Sequence, residues 1–187
     1  MTPPSHPAFF GYGSLVNRAT HDHAPAALAR LSGWRRVWCA TDLRPFAYLS
    51  VEPAATEIDG LIAAVPDGDW AALDRREAAY DRRSVGPDSL PHRPVWAADI
   101  ALYTVRAPRP AAASAPILRS YLDVVLQGFL REFGEAGVSS FLASTIGWEA
   151  GLHDDRAAPV YPRAQRLGIR ETALIDRHLA DHGVMPR

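Results

Sequence analysis

The chain has 187 residues, 48% of them hydrophobic, and a formal net charge of −1, so it can bury a core without staples and has no global basic field to draw nucleic acid or acidic lipid. All 20 basic residues are arginines, as a GC-rich coding bias gives, and the absence of lysine excludes Schiff-base chemistry and a Walker-type phosphate site. Cys39 is the single cysteine, which excludes an intrachain disulfide and a cysteine zinc cluster and reads as a buried thiol.

The first seven residues are proline-rich and read as a loose tail, without the basic and apolar stretches of a secretory signal. No apolar run reaches the ~20 residues of a membrane span. A cytoplasmic protein with no membrane partner is expected. Ala8-Phe9-Phe10-Gly11-Tyr12 reads as a short buried strand, stopped by Gly13-Ser14. Residues 18–27 read as a loop or short helix. Strands are expected over 34–41, 46–51 and 58–65, the first two joined by Asp42-Leu43-Arg44-Pro45. A helix is expected over 69–81 with Asp69 as its N-cap, then a strand over 94–105.

Residues 107–116, rich in Ala, Pro and Ser, read as a linker. Helical runs follow over 117–133 and 138–145, then an irregular stretch over 147–166 and a last helix over 171–181. No internal repeat is present. The order of elements predicts an α+β fold. Its core, over 8–106, is a small mixed or barrel-like β-sheet with one inserted helix carrying Glu77. A helical extension over 117–187 packs on that core.

Two features carry chemistry. The first is Phe9-Phe10-Gly11-Tyr12-Gly13-Ser14-Leu15, a hydrophobic strand entering a glycine-serine turn. Glycine lets backbone N–H groups point into one concavity, and such a nest takes a carboxylate, phosphate or oxyanion; an ordinary tight turn has the same composition. The dinucleotide fingerprint is not met, since the third glycine is missing. The second is the segment from Trp70 to Tyr80. Helical spacing puts Trp70, Leu73, Glu77 and Tyr80 on one face, with Asp74 and Asp81 on its flank and Arg75 and Ala79 pointing away. A carboxylate on a buried face is costly unless it is paired or functional. Burial raises its pKa toward the range useful for proton transfer, and a structural ion pair with Arg93 or Arg35 is the alternative.

Other patterns are weaker. His21-Asp22-His23 and the i, i+4 pair His178 and His182 lack a third ligand, so no metal is expected. Gly11-Tyr12-Gly13-Ser14-Leu15 does not meet the G-x-S-x-G pattern of a hydrolase elbow. The aromatic residues Trp34, Trp38, Phe46 and Tyr48 read as core packing rather than base stacking. Gly147-Trp148-Glu149 and Pro159 to Arg163 are unusual for a linker and either line a site or dock the C-terminal helices.

A strand ending in Tyr12-Gly13-Ser14-Leu15, then about 60 residues later Leu73-Asp74-x-x-Glu77-x-x-Tyr80, resembles the γ-glutamylcyclotransferase-like superfamily. That superfamily takes in γ-glutamyl dipeptide enzymes, glutathione-specific ChaC enzymes and AIG2-like proteins. Gly33-Trp34 agrees with it, and the resemblance spans residues 8–105. Ser120-Tyr121-Leu122 looks like the ChaC C-terminal helix, whereas Ala78-Ala79 departs from the ChaC form, in which a Lys/Gly-containing segment is common. The resemblance implies conversion of a γ-glutamyl amine or dipeptide to 5-oxoproline and the free amine. It implies Glu77 as general acid/base and Tyr12, Gly13, Ser14 and Leu15 as the substrate cradle. No cofactor or metal is implied, because the nucleophile belongs to the substrate, and the partner is a small molecule. An amide hydrolase using the same cradle, or a catalytically silent binding protein of the same fold, are the alternatives.

Overall fold

The computed structural model describes residues 5–110 and 114–184. Parts of the expected tail (1–4), linker (111–113) and C-terminal extension (185–187) lie outside the described residues.

β1 (His6–Gly11) is central in a curled seven-stranded sheet. It lies antiparallel to β3 (Tyr48–Ala64) and parallel to β5 (Ala97–Val105). Phe9 and Phe10, on opposite faces, are both buried, so the apolar run does not alternate.

β2 (Ala26–Ala40) and β3 form one long antiparallel hairpin, from Ala26 opposite Ala63 to Cys39 opposite Tyr48, with the register shifting between Ser32 and Trp34. Separate strands over 46–51 and 58–65 and a loop or short helix over 18–27 were the expectation, and Arg18–Thr20 is a short 3-10 turn. Residues 26–33 and 52–57 are instead strand, although they lack apolar alternation, because polar cross-strand pairs hold them. Arg30 Nε donates to Asp59 Oδ1 at 2.9 Å, and Ser32 Oγ to Glu57 Oε1 at 2.8 Å.

The inserted helix α1 (Trp70–Arg76) is capped by Asp69, which accepts the Ala72 N–H at 3.1 Å. It is shorter than the expected 69–81. Glu77 is its C-cap, and Tyr80 opens β4 (Tyr80–Ser84), an edge strand antiparallel to β5 with Tyr80 opposite Val105. Pairing with β5 claims the residues that helical spacing assigned to the last turn. β6 (Arg109–Pro110), inside the expected linker, pairs with the end of β2.

Beyond it come β7 (Ile117–Leu118), α2 (Arg119–Ala143), β8 (Thr145–Ile146), β9 (Leu152–His153) and α3 (Ile169–Asp181). α2 is broken at Gly134, where φ is 69° and an L side chain is disfavoured, which accounts for two helical runs in the sequence. β7 pairs with β9, and β8 joins the sheet beside β2. One hydrophobic cluster runs from Phe9, Leu61 and Ile62 through Leu122, Phe129 and Phe141 to Ile175 and Leu179. Each such side chain contributes about 1.5–3 kcal/mol on burial, so 117–184 shares the core of the sheet. Arg119, Asp123, Arg156 and Asp176 bind α2, α3 and the loop before α3 together, with Arg156 Nε 2.7 Å from Asp123 Oδ2. Among the described residues, no helix is long and apolar enough to cross a membrane.

Candidate active site

β1 delivers the chain from the middle of the sheet into a tight 3-10 turn, Ser14–Val16. The Val16 N–H bonds the Gly13 carbonyl at 2.9 Å and the Asn17 N–H bonds the Ser14 carbonyl at 3.1 Å. The N–H groups of Ser14 and Leu15, which begin the turn, have no backbone acceptor among the described residues. This is the polarity that receives a negative oxygen.

The turn is held from every side. Tyr12 donates its hydroxyl to the Tyr103 carbonyl at 2.5 Å. Beneath it lies Arg36, wholly buried, which donates Nε to the Tyr12 carbonyl and Nη1 to Ser144 Oγ, both at 2.9 Å, and Nη2 to the Asp59 carbonyl. The Arg36 guanidinium sits 4.8 Å and 4.9 Å from the ring centres of Phe129 and Phe141. Burial pulls Arg36 down to about 9, with Asp59 opposing, so it remains a cation at neutral pH. On the far side, His21 Nδ1 accepts the His23 N–H at 3.2 Å, which puts the ring proton on Nε2, 2.9 Å from the Leu15 carbonyl. Burial pushes His21 down to about 4, and it is neutral. Asn17 closes the exit of the turn by donating to the Val124 carbonyl and Gln127 Oε1 of α2, each at 2.9 Å.

Tyr12, Gly13, Ser14, Leu15 and Glu77 line one hollow, together with Phe10, Gly11, Leu49, Tyr80, Tyr103 and Tyr121. The end of α1 thus carries Glu77 to the mouth of the glycine turn. Its carboxyl is raised by burial; Arg76 and Arg163 oppose that rise. Arg76 Nε lies 3.1 Å from Glu77 Oε1 and its other nitrogens bond Thr20. The ion pair is therefore with the preceding residue, not with Arg93 or Arg35; Arg35 pairs with Glu52.

The rest of the wall is phenolic. Burial first, and then neighbouring phenols or acids including Glu77, keep Tyr12, Tyr80, Tyr103 and Tyr121 protonated. The Tyr80 hydroxyl donates a hydrogen bond to the Leu49 carbonyl at 3.0 Å and the Tyr103 hydroxyl to Asp74 Oδ1 at 2.6 Å. The Tyr121 hydroxyl faces the Ser14 backbone. Glu77 is the one carboxylate in this lining. Cys39 is buried, its thiol pushed up to about 12, and it stands apart from this lining.

A Cβ on Gly13 would lie 2.9 Å from the Tyr121 hydroxyl and 3.1 Å from Leu49 Cδ2. Gly13→Ala is expected to narrow the hollow and raise the KM of any ligand seated on the turn by about 10-fold or more, at a stability cost of roughly 1–3 kcal/mol. Steady-state kinetics and a thermal melt measure both; unchanged KM would remove the turn from the ligand's path.

Sequence reasoning missed Arg36, Asn17 and Tyr103. A signal existed for Arg36: Trp34, Arg36 and Trp38 alternate along β2 and so share a face. Locally Asn17 shows only a turn-capping contact, accepting the Ala19 N–H at 3.1 Å, while its α2 partners are 107 and 110 residues away and the Tyr103 carbonyl meets Tyr12 across 91.

A curled sheet with an inserted helix ending at this hollow is the γ-glutamylcyclotransferase fold. A solved structure described as a gamma-glutamyl cyclotransferase is similar over 92% of this chain and 99% of that one, with a TM-score of 0.56 and 14% identity. YkqA from Bacillus subtilis is similar over 76% of this chain, with a TM-score of 0.55 and 16% identity, and this chain spans 56% of its length. At such identities the likeness is one of fold. No protein-family model and no curated protein matches the sequence.

Proposed function

We propose that the protein is a cyclotransferase that converts a γ-glutamyl amine or dipeptide to 5-oxoproline and the free amine. The observation that carries this reading is a single partly buried carboxylate, Glu77, raised by desolvation, in a hollow walled by protonated phenols and shared with the N–H groups of Ser14 and Leu15.

The chemistry balances with no added group. Glu77, ionised, takes a proton from the substrate's α-ammonium. The freed amine attacks the γ-carbonyl carbon, forming a C–N bond and an oxyanion. Ser14 and Leu15 N–H groups hold a negative oxygen of the glutamyl unit, the α-carboxylate or this oxyanion; donors of that kind contribute about 3–4 kcal/mol to the barrier. Protonated Glu77 then gives its proton to the leaving nitrogen as the bond from that nitrogen to the carbonyl carbon breaks and the oxyanion collapses to the ring carbonyl; Glu77, ionised again, takes the second proton from the ring nitrogen and passes it to the departing amine, which leaves as an ammonium. Ring closure is intramolecular, so the protein has only to fold the glutamyl chain into position.

The test is incubation with a panel of γ-glutamyl dipeptides, γ-glutamylamines and glutathione, with 5-oxoproline read by mass spectrometry. Release from at least one member is expected. Free glutamate in its place would indicate an amide hydrolase, and binding without either product a silent binding protein.

A further inference from the structure

One guanidinium joins the carboxylate of the hollow to its glycine turn. Arg76 closes the last turn of α1, and its side chain is only 11% exposed. All three of its nitrogens are engaged. Nε lies 3.1 Å from Glu77 Oε1, Nη1 donates to the Thr20 carbonyl at 2.9 Å, and Nη2 donates to Thr20 Oγ at 3.1 Å. Arg75, one residue earlier on the helix, is exposed.

Thr20 carries the contact onward. Its hydroxyl, with one proton to donate, lies 3.1 Å from the Ser14 carbonyl and 3.0 Å from the Asn17 carbonyl. The Ser14 carbonyl and the Leu15 N–H belong to one peptide group. Hydrogen bonds accepted by that carbonyl polarise the N–H at the other end, and a chain of bonds that starts at a cation strengthens along its length. The Leu15 N–H is one of the two donors at the head of the turn. A single run of bonds thus leads from Glu77 through Arg76 and Thr20 to the peptide that offers a donor to a negative oxygen.

The neighbouring elements have anchors of their own. α1 is fixed to the core by Leu73, and the turn over 18–20 by Asn17 and by the pairing of Arg18 with Glu132 at 2.8 Å. Setting a guanidinium between them costs desolvation. We propose that Arg76 is a positioning residue for the reaction: its planar fork fixes the acid/base carboxylate relative to the anion-receiving turn, which a point charge on a flexible stem does not do. Arg76 does not line the hollow, so it acts through Glu77 and Thr20. The inference rests on the cyclotransferase reading. Glu77 faces Arg76, Arg163 and the phenols of Tyr12, Tyr80, Tyr103 and Tyr121; Arg163 acts on it through charge, whereas Arg76 also hydrogen-bonds it.

The test uses Arg76→Met, Thr20→Val, the two combined, and Arg76→Lys, assayed on the γ-glutamyl substrate that the wild type turns over fastest. Arg76→Met and Thr20→Val are each expected to lower kcat/KM by about tenfold, short of the ~10²-fold that a misplacement of 1 Å can cost. Because both cut one bridge, the double variant should lose no more than the worse single variant. Losses that multiply, or unchanged kcat/KM in both single variants, overturn the bridge. The acidic limb of the pH profile should move upward in Arg76→Met, since removing a neighbouring cation disfavours the ionised carboxyl, and stay in place in Thr20→Val. A slower Arg76→Met enzyme with its limb in place overturns the proposal and leaves Arg76 a support of the fold. Arg76→Lys keeps the charge and guards against a methionine variant that fails to fold. Its limb should hold while kcat/KM still falls about tenfold; native kcat/KM there overturns the need for a fork. Titration of the Glu77 carboxyl by carbon-13 NMR, with Glu77→Gln as the blank, reads the same shift in the ligand-free protein. An upward shift in Arg76→Met, with no 5-oxoproline from any substrate, sinks the cyclotransferase reading and leaves the hold of Arg76 on Glu77 standing. An unmoved titration overturns the proposal whatever the reaction is.

Discussion

Glu77→Gln is expected to cut 5-oxoproline release by about 10²- to 10⁴-fold, the usual worth of a positioned acid–base group, while leaving the protein folded. Glutamine keeps the shape and loses the proton transfer. The wild-type rate should fall as pH drops through a value above the ordinary carboxylate range, because burial raises Glu77 and only its ionised form takes the substrate's proton. Stability moves the other way. Below the ordinary carboxylate pKa of ~4.3 the side chain is neutral in both folded and unfolded chains and contributes no difference. Above it the unfolded chain ionises first, which weakens the wild type relative to the glutamine variant until the raised folded pKa is passed. The variant should therefore melt at a higher temperature than the wild type at pH 7, with the gain vanishing on acidification. A variant less stable at pH 7 would mean that the contact with Arg76 outweighs burial, and Glu77 would then be a structural ion pair.

The second large effect is expected at Arg36. Arg36→Ala strips a donor from the buried Tyr12 and Asp59 carbonyls and opens a cavity between Phe129 and Phe141. Each orphaned carbonyl costs about 1–3 kcal/mol and the cavity adds to that, giving roughly 3–5 kcal/mol in all. For a chain of this size the melting temperature should fall by about 6–20 °C. Arg36→Met keeps most of the volume and removes the cost of burying a charge, so its loss should be smaller. Its effect on catalysis should persist, since Tyr12 loses the donor that fixes the start of the turn. Arg36 touches no substrate; it is a positioning residue, and a lowered kcat in the methionine variant at nearly native stability distinguishes that role from bulk support. A methionine variant with native stability and native kcat would show that the cation is dispensable, as some buried charges are.

The segments legible in the sequence are those whose burial is one-sided or complete. β1 announces itself as an apolar run, and α2 and α3 by helical runs on either side of an irregular stretch. The ribbon between Ala26 and Ser32 does not, because its cross-strand bonds run between Arg30 and Asp59 and between Ser32 and Glu57, side chains that also suit a loop. The helix over 69–81 was overread for a different reason. The helical hydrogen bonding reaches as far as the Glu77 N–H, which bonds the Leu73 carbonyl at 2.9 Å, but three residues later the chain is claimed by β5. Local spacing registers the first fact and is blind to the second. Glu77 and the Tyr12–Leu15 turn were readable because each is a local pattern. Their meeting in one hollow depends on contacts that no window of the sequence contains.

The grip of Asn17 on Gln127 closes a loop of 110 residues, and the tie from Tyr12 to Tyr103 spans 91. Long closures are entropically late events in folding. The turn can form early, but its lining is completed only when α2 arrives with Tyr121. A newly made chain would thus acquire its reactive hollow among its last steps, and recovery of turnover during refolding should lag recovery of helical signal.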